Sequence, residues 1–198
     1  MSKYYFTADT HFGHSNIIKY CHRPFKNIEE HDYRLIQLWN SRVKPEDIVF
    51  VLGDFCYKQL KNKTAKFYED QLNGKIIFVK GNHDSNNGVK TCIQDIRIRL
   101  GGKNLLLIHR PEDVGYTDVD LVLCGHVHQH WKFKRIPTYN KTGKKVLFSI
   151  DFCNVGIDVW NYMPITINEI LREYNKWLRE RKFISQRPKS KKAKKRSK

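Results

Sequence analysis

Three short β-prone runs separated by helical stretches constrain this chain most. Tyr4–Ala8, Ile48–Leu52 and Ile76–Val79 are aromatic or apolar, and the stretches between them read as helices. The order strand, helix, strand, helix, strand calls for parallel pairing through right-handed crossovers. Ile48–Leu52 is continuously apolar, as in a strand covered on both faces. Such crossovers bring the carboxyl ends of the strands to one edge, where sites form in open α/β sheets. All three runs end there in residues with chemistry: Asp9-Thr10-His11, Gly53-Asp54 and Gly81-Asn82-His83-Asp84. Read as extended chain, Asp9 and His11 point to one side, either as half of a metal site or as a polar turn. Asn82 offers an amide oxygen, His83 a proton near neutral pH, and Asp84 a carboxylate that could hold the His83 ring.

The first intervening helix sets Ile28, Leu35, Ile36 and Trp39 near one face, with Glu29, Glu30, Asp32 and Arg34 expected toward water. A second, basic helix is expected over residues 58–72, closed by the Asn73-Gly74 turn. Beyond it the pattern changes. Ile96–Leu100 alternates, Gly101-Gly102 turns and Asn104–Ile108 returns, a hairpin that predicts an antiparallel or mixed sheet. This return strand ends in His109-Arg110-Pro111, and Leu121–Cys124 ends in Gly125-His126-Val127-His128. His-x-His after a glycine is a ligand signal stronger than any single histidine. Late strands follow at Lys132–Ile136 and Lys145–Ile150, joined by a Lys141-Thr142-Gly143 turn. A capping box at Thr166–Glu169 opens a last helix with Ile170, Leu171, Tyr174, Trp177 and Leu178 along one face.

At 198 residues and 40 % hydrophobic the chain is long and apolar enough for one packed domain, expected over residues 1–184. Residues 185–198 form a basic, low-complexity tail expected to be disordered. The net charge is +17, and the eight Lys and Arg from Arg187 onward account for only part of it. A basic body favours anionic partners, and the tail offers phosphate contacts to nucleic acid, although it lacks an aromatic residue for base stacking. Five scattered cysteines without a Cys-x-x-Cys argue against a disulfide framework or a thiolate zinc site, and each is expected to be buried. No stretch is long and apolar enough to span a membrane, and Met1-Ser2-Lys3 runs straight into a strand. A soluble, cytoplasmic protein is expected.

Taken together, Asp-x-His, Gly-Asp, Gly-Asn-His-Asp, His and Gly-His-x-His run in order from Asp9 to His128. In this the chain resembles the calcineurin-like metallophosphoesterase superfamily, specifically a small prokaryotic or phage-type branch carrying His11–Ile18 and Arg23-Pro24-Phe25. The resemblance implies an α/β (α+β) fold: a two-sheet β-sandwich flanked by helices, βαβαβ in its first half and more antiparallel in its second. It implies two divalent metals, Mn²⁺ favoured over Fe²⁺, Zn²⁺ or Ni²⁺. Asp9, His11 and His128 would hold one, Asn82, His109 and His126 the other, with Asp54 bridging. Metal-activated hydroxide would then attack a phosphate ester, a diester rather than a monoester, while His83, tuned by Asp84, protonates the leaving oxygen. His14, Arg23 and Arg110 adjoin the motifs and are expected to grip phosphate oxygens. Gly53-Asp54 lacks the continuation typical of protein serine/threonine phosphatases, and no cap domain of the Mre11 nuclease type is present. Two other readings remain: a nuclease or nucleic-acid end-processing enzyme using the tail, and a catalytically weak scaffold of the Vps29 type. The presence of His83 favours an enzyme.

Overall fold

A computed structural model describes residues 2–57, 63–115, 117–139 and 146–185. The first sheet runs in the order β3-β2-β1-β9. Its strands β1 (Tyr4–Thr7), β2 (Ile48–Leu52) and β3 (Lys75–Val79) are parallel, and β9 (Ile165–Thr166) adds a short antiparallel edge. Alternation along the strands sends Tyr5, Val49 and Val51 to one face and Phe6, Phe50 and Leu52 to the other. The first face packs on Leu35 and Trp39 of α2 (Ile28–Asn40) and on Tyr68 of α3 (Ala65–Glu69). The second face meets the other sheet.

That second sheet runs β4-β5-β6-β8-β7, with β4 (Asp95–Leu100), β5 (Lys103–Ile108), β6 (Leu121–Cys124), β7 (Phe133–Tyr139) and β8 (Val146–Asn154). The expected antiparallel character is found at its edges, in the β4–β5 hairpin and the β7–β8 pair. Its centre is parallel, β5 to β6 to β8, so both sheets are mixed. Leu105, Leu107, Leu121 and Leu123 from this sheet interleave with Phe6, Phe50 and Leu52 from the first, all buried in the main core. Ile170 and Tyr174 of α4 (Ile167–Ser185) join that core, and the Tyr174 hydroxyl donates to Asp151 on β8 at 2.6 Å. The capping box forms as expected: the Thr166 backbone N–H donates to Glu169 at 2.9 Å, and the Glu169 N–H returns to Thr166 Oγ1 at 3.4 Å. Among the described residues no helix is long and apolar enough to cross a membrane.

Three local expectations need correction, and one short helix is new. The helix expected over residues 58–72 is five residues long, starting after Thr64, whose side chain accepts from the Phe67 N–H. Residues 58–62 lie outside the described residues, as do the turn at 141–143 and residues 186–198 of the basic tail. A short helix, α1 (Ser15–Tyr20), in a stretch to which the sequence reading gave no element, precedes Arg23. Asp32 does not face water: it is buried, accepting from the Gly13 N–H and the Tyr68 hydroxyl. Cys92 is exposed, while the other four free cysteines are buried as expected.

Candidate metal centre

The carboxyl ends of β1, β2 and β3 meet those of β5 and β6 along the seam between the two sheets. The Asp9 N–H donates to the Gly53 oxygen, the His11 N–H to the Asp54 oxygen, and the Gly125 N–H to the His109 oxygen. The His126 N–H crosses from the second sheet to the Asp9 carboxylate, 3.0 and 2.9 Å from its two oxygens. Gly81 allows β3 to close in, because a Cβ there would collide with the Asp54 backbone nitrogen and carboxylate.

Asp9 and His11 reach a common site, but not as extended chain. Asp9, His11, Asp54, His126 and His128 all take positive φ, between 45° and 70°. That left-handed region strains residues with a Cβ and persists only where surroundings hold it. Three buried polar side chains do so here. Arg23 donates to the Asp9 and Thr10 oxygens at 2.7 and 3.0 Å. Asp84 accepts from the Asp54 and Phe55 N–H groups at 3.1 and 3.0 Å and from Gly81 at 2.7 Å. Asn154 donates to the His128 oxygen at 2.7 Å.

Among the described residues three donor groups lie close enough to hold an ion; one is Cys21, His128 and Asp158, and the other two carry the expected residues. Asp9, His11 and His128 form one and Asp54, His109 and His126 the other, the donor atoms of each within 4.8 Å of one another. Asp54 Oδ2 lies 3.7 Å from His11 Nε2 and 3.4 Å from His109 Nε2, so it faces both. Asn82 Oδ1 is 2.9 Å from His109 Nε2 and joins the second group. The donor set fits divalent ions. His11 Nε2 is buried with no hydrogen-bond partner, an orphan that a cation would satisfy. His109 donates from Nδ1 to the Leu52 oxygen at 2.8 Å, and His128 Nδ1 meets Asp158 Oδ2 at 2.9 Å. Both rings are thereby turned to offer Nε2, the usual arrangement behind a metal-ligating histidine.

Charge is concentrated here. Burial raises the Asp9 carboxyl to about 6, against the pull of His109 and His128. Burial would also raise Asp54, but hydrogen bonding and attraction from His109, with His11 nearby, hold its carboxyl well below the usual range. Burial would lower His109 and His128, yet Asp54 lifts the first to about 9 and Asp158 the second to about 10. Burial leaves His11 well below the ordinary imidazole value and His14 at about 4.

Several expected site residues have other tasks. Asp84 does not touch the His83 ring; its carboxylate is spent on three backbone N–H groups, and burial raises its pKa. Arg23 is 3 % exposed and bound to Asp158, His31 and backbone oxygens, so it cannot grip a substrate phosphate. His14 is neutral, stacked on Tyr57 at 4.3 Å with its Nδ1 3.3 Å from that of His11. Arg110 is half-buried and paired with Glu112 at 2.7 Å. His83 stands 45 % exposed at the mouth, Nε2 4.0 Å from Asp54 Oδ2. Sequence reasoning missed Asp158, which joins Arg23 to His128, and Asn154; neither sits in a motif, and no local pattern marks them.

Two clefts open on the centre. One, of about 430 Å³, is lined by Lys80, Asn82, Asp95, His109, Arg110 and Asp113 among others. The other, of about 460 Å³, runs past His11, His83 and His128 toward Tyr57 and Tyr20.

Comparison with known proteins agrees with this geometry. The calcineurin-like phosphoesterase superfamily domain matches residues 3–156. The uncharacterized protein MJ1445 of Methanocaldococcus jannaschii is 38 % identical over 173 residues, covering 87 % of this chain and 91 % of its own. The gene 66 protein of Mycobacterium phage D29 is 39 % identical over 199 residues, covering 81 % and 90 %. Among solved structures, AQ665 from Aquifex aeolicus, a protein of unknown function, superposes with a TM-score of 0.63 at 25 % identity, over 87 % of this chain and 99 % of that one. A chain matched over this span, with two mixed sheets flanked by helices and a His/Asp cluster at their seam, belongs to the calcineurin-like phosphoesterase superfamily.

Proposed function

We propose that the protein is a phosphodiesterase working with two divalent ions, manganese favoured and iron, zinc or nickel as alternatives. Asp9, His11 and His128 would hold one ion, and Asn82, His109 and His126 the other, with Asp54 between them. The observation that carries this reading is the placement of Asp54 Oδ2, which faces His11 Nε2 and His109 Nε2 at once. Mixed carboxylate, amide and imidazole donors suit these borderline ions. When bound, such ions supply Lewis acidity toward phosphoryl oxygens and acidify water near neutral pH.

The rest falls to the chain's own residues. Asp158 and the Leu52 carbonyl fix the rings of His128 and His109. Asp84 and Arg23 hold the strand ends in their left-handed turns. His83, exposed at the mouth, hands a proton to the leaving oxygen. Lys80 gives the charged cleft a cation for the anionic part of a substrate. A diester is favoured over a monoester because the centre opens on two clefts, and a diester has two substituents to seat.

The test is hydrolysis of bis-p-nitrophenyl phosphate and p-nitrophenyl phosphate by the manganese-loaded protein, beside Asp54→Asn and His83→Ala. The expected outcome is diester preference, abolished in Asp54→Asn together with metal binding. His83→Ala should keep its metal and lose on the order of 10²–10⁴-fold with an unactivated leaving group. Silence on both substrates with two ions verified as bound would overturn the reading in favour of a scaffold.

A further inference from the structure

The two clefts differ in chemistry. The one containing Lys80 and Arg110 also carries Asp95 and Asp113, so it is charged. Among the described residues lining the other there is no Lys, Arg, Asp or Glu. Its wall is a run of rings. Tyr20 stands edge-on to His14 at 6.2 Å, His14 stacks on Tyr57 at 4.3 Å, and Tyr57 meets His83 at 5.9 Å. Tyr20 is 66 % exposed, and the Asn16 and Gln129 amides are exposed beside it. A cleft of about 460 Å³ with the exposed Tyr20 ring, neutral amides and no Lys, Arg, Asp or Glu in its lining suits a flat heteroaromatic group. Aromatic faces stack nucleobases, and amides read base edges. His83, the proton donor proposed above, lies on this side.

We infer that the substrate is a phosphodiester with a nucleoside on its leaving-group side, the base seated in the Tyr20–Tyr57 cleft. This rests on the phosphodiesterase reading. A water oxygen bonds to phosphorus, the bond from phosphorus to the nucleoside oxygen breaks, and that oxygen departs with a proton from His83, which the proton released by the water replaces. The products are a nucleoside and a phosphomonoester, whose free phosphate faces the charged cleft.

The experiment uses the full chain loaded with manganese and two substrates: a thymidine dinucleoside monophosphate, and its analogue with an abasic residue at the leaving position. The protein should prefer the intact dinucleotide in kcat/KM by about tenfold or more. Tyr20→Ala should bring that ratio close to one, whereas Tyr20→Phe, which keeps the ring, should preserve it. Tyr20 is exposed, so its truncation leaves the core intact. A ratio near one in the parent protein, or one unchanged by Tyr20→Ala while both substrates are cleaved, overturns the base site and leaves the phosphodiesterase reading standing. Failure to cleave either dinucleotide or bis-p-nitrophenyl phosphate overturns both.

Discussion

Asp158 illustrates how much of this centre depends on groups outside the motifs. It accepts from Arg23 at 2.8 and 3.0 Å and meets His128 Nδ1 at 2.9 Å, while Arg23 holds the Asp9 carbonyl. Asp158→Asn keeps the shape but removes the charge that balances the buried guanidinium and orients the imidazole. Manganese affinity measured by calorimetry should fall about 10–100-fold, with the fold retained by circular dichroism. An unchanged affinity would reduce Asp158 to a partner of Arg23 alone. The motif residues were legible because Asp, Asn and His at the ends of apolar runs can be read directly as donors. Asp158 and Asn154 were not, because their partners, Arg23 and the His128 carbonyl, are 135 and 26 residues away in sequence. Arg23 was misread for the same reason. An arginine beside a motif suggests phosphate, and only the packed structure reveals that every bond it makes is internal.

Helix α4 is tied to the first half of the chain through Arg42. Glu169 closes its own N-terminus through Thr166 and accepts from Arg42 Nη2 at 2.7 and 2.8 Å. Burial would raise the Glu169 carboxyl, but the Thr166 N–H and Arg42 outweigh it and lower the pKa below the ordinary 4.5. A lowered folded value contributes stability that is full above about pH 4.5 and is lost as pH falls through the folded value. Glu169→Gln should therefore cost about 1 kcal/mol near pH 7, seen as a Tm about 2–4 °C lower. The gap should close toward pH 3, and a gap independent of pH would contradict the charged-cap account. Elements with strong signals were legible at this level: the apolar strands, the capping box and the Gly101-Gly102 hairpin. Weak ones were not. Six-residue α1 has no side-chain cap at His14, and α3 is too short for periodicity, though Thr64 marks its start.

The sandwich as a whole divides the donors between its sheets. Asp9, His11, Asp54 and Asn82 follow strands of the first sheet, and His109, His126 and His128 follow strands of the second. Each of the two expected ligand groups takes members from both. Ions bound there would stabilise the docked sheets by linkage, about 2.7 kcal/mol at a hundredfold excess over Kd. Chelation should lower Tm, and manganese titrated back should restore it progressively. A Tm indifferent to both would mean that the seam holds no ion. The parallel pairing was legible for the first half, where alternating strands and helices leave few topologies. The parallel centre of the second sheet was not, because β6 and β8 are joined through β7 rather than by a helix. This division has a practical side. A chain nicked between residues 90 and 94 would separate into one piece bearing both acids and the amide, and another bearing three of the four donor imidazoles. Neither piece would carry a complete ligand group, so recovered hydrolysis on mixing would serve as a reporter of their reunion.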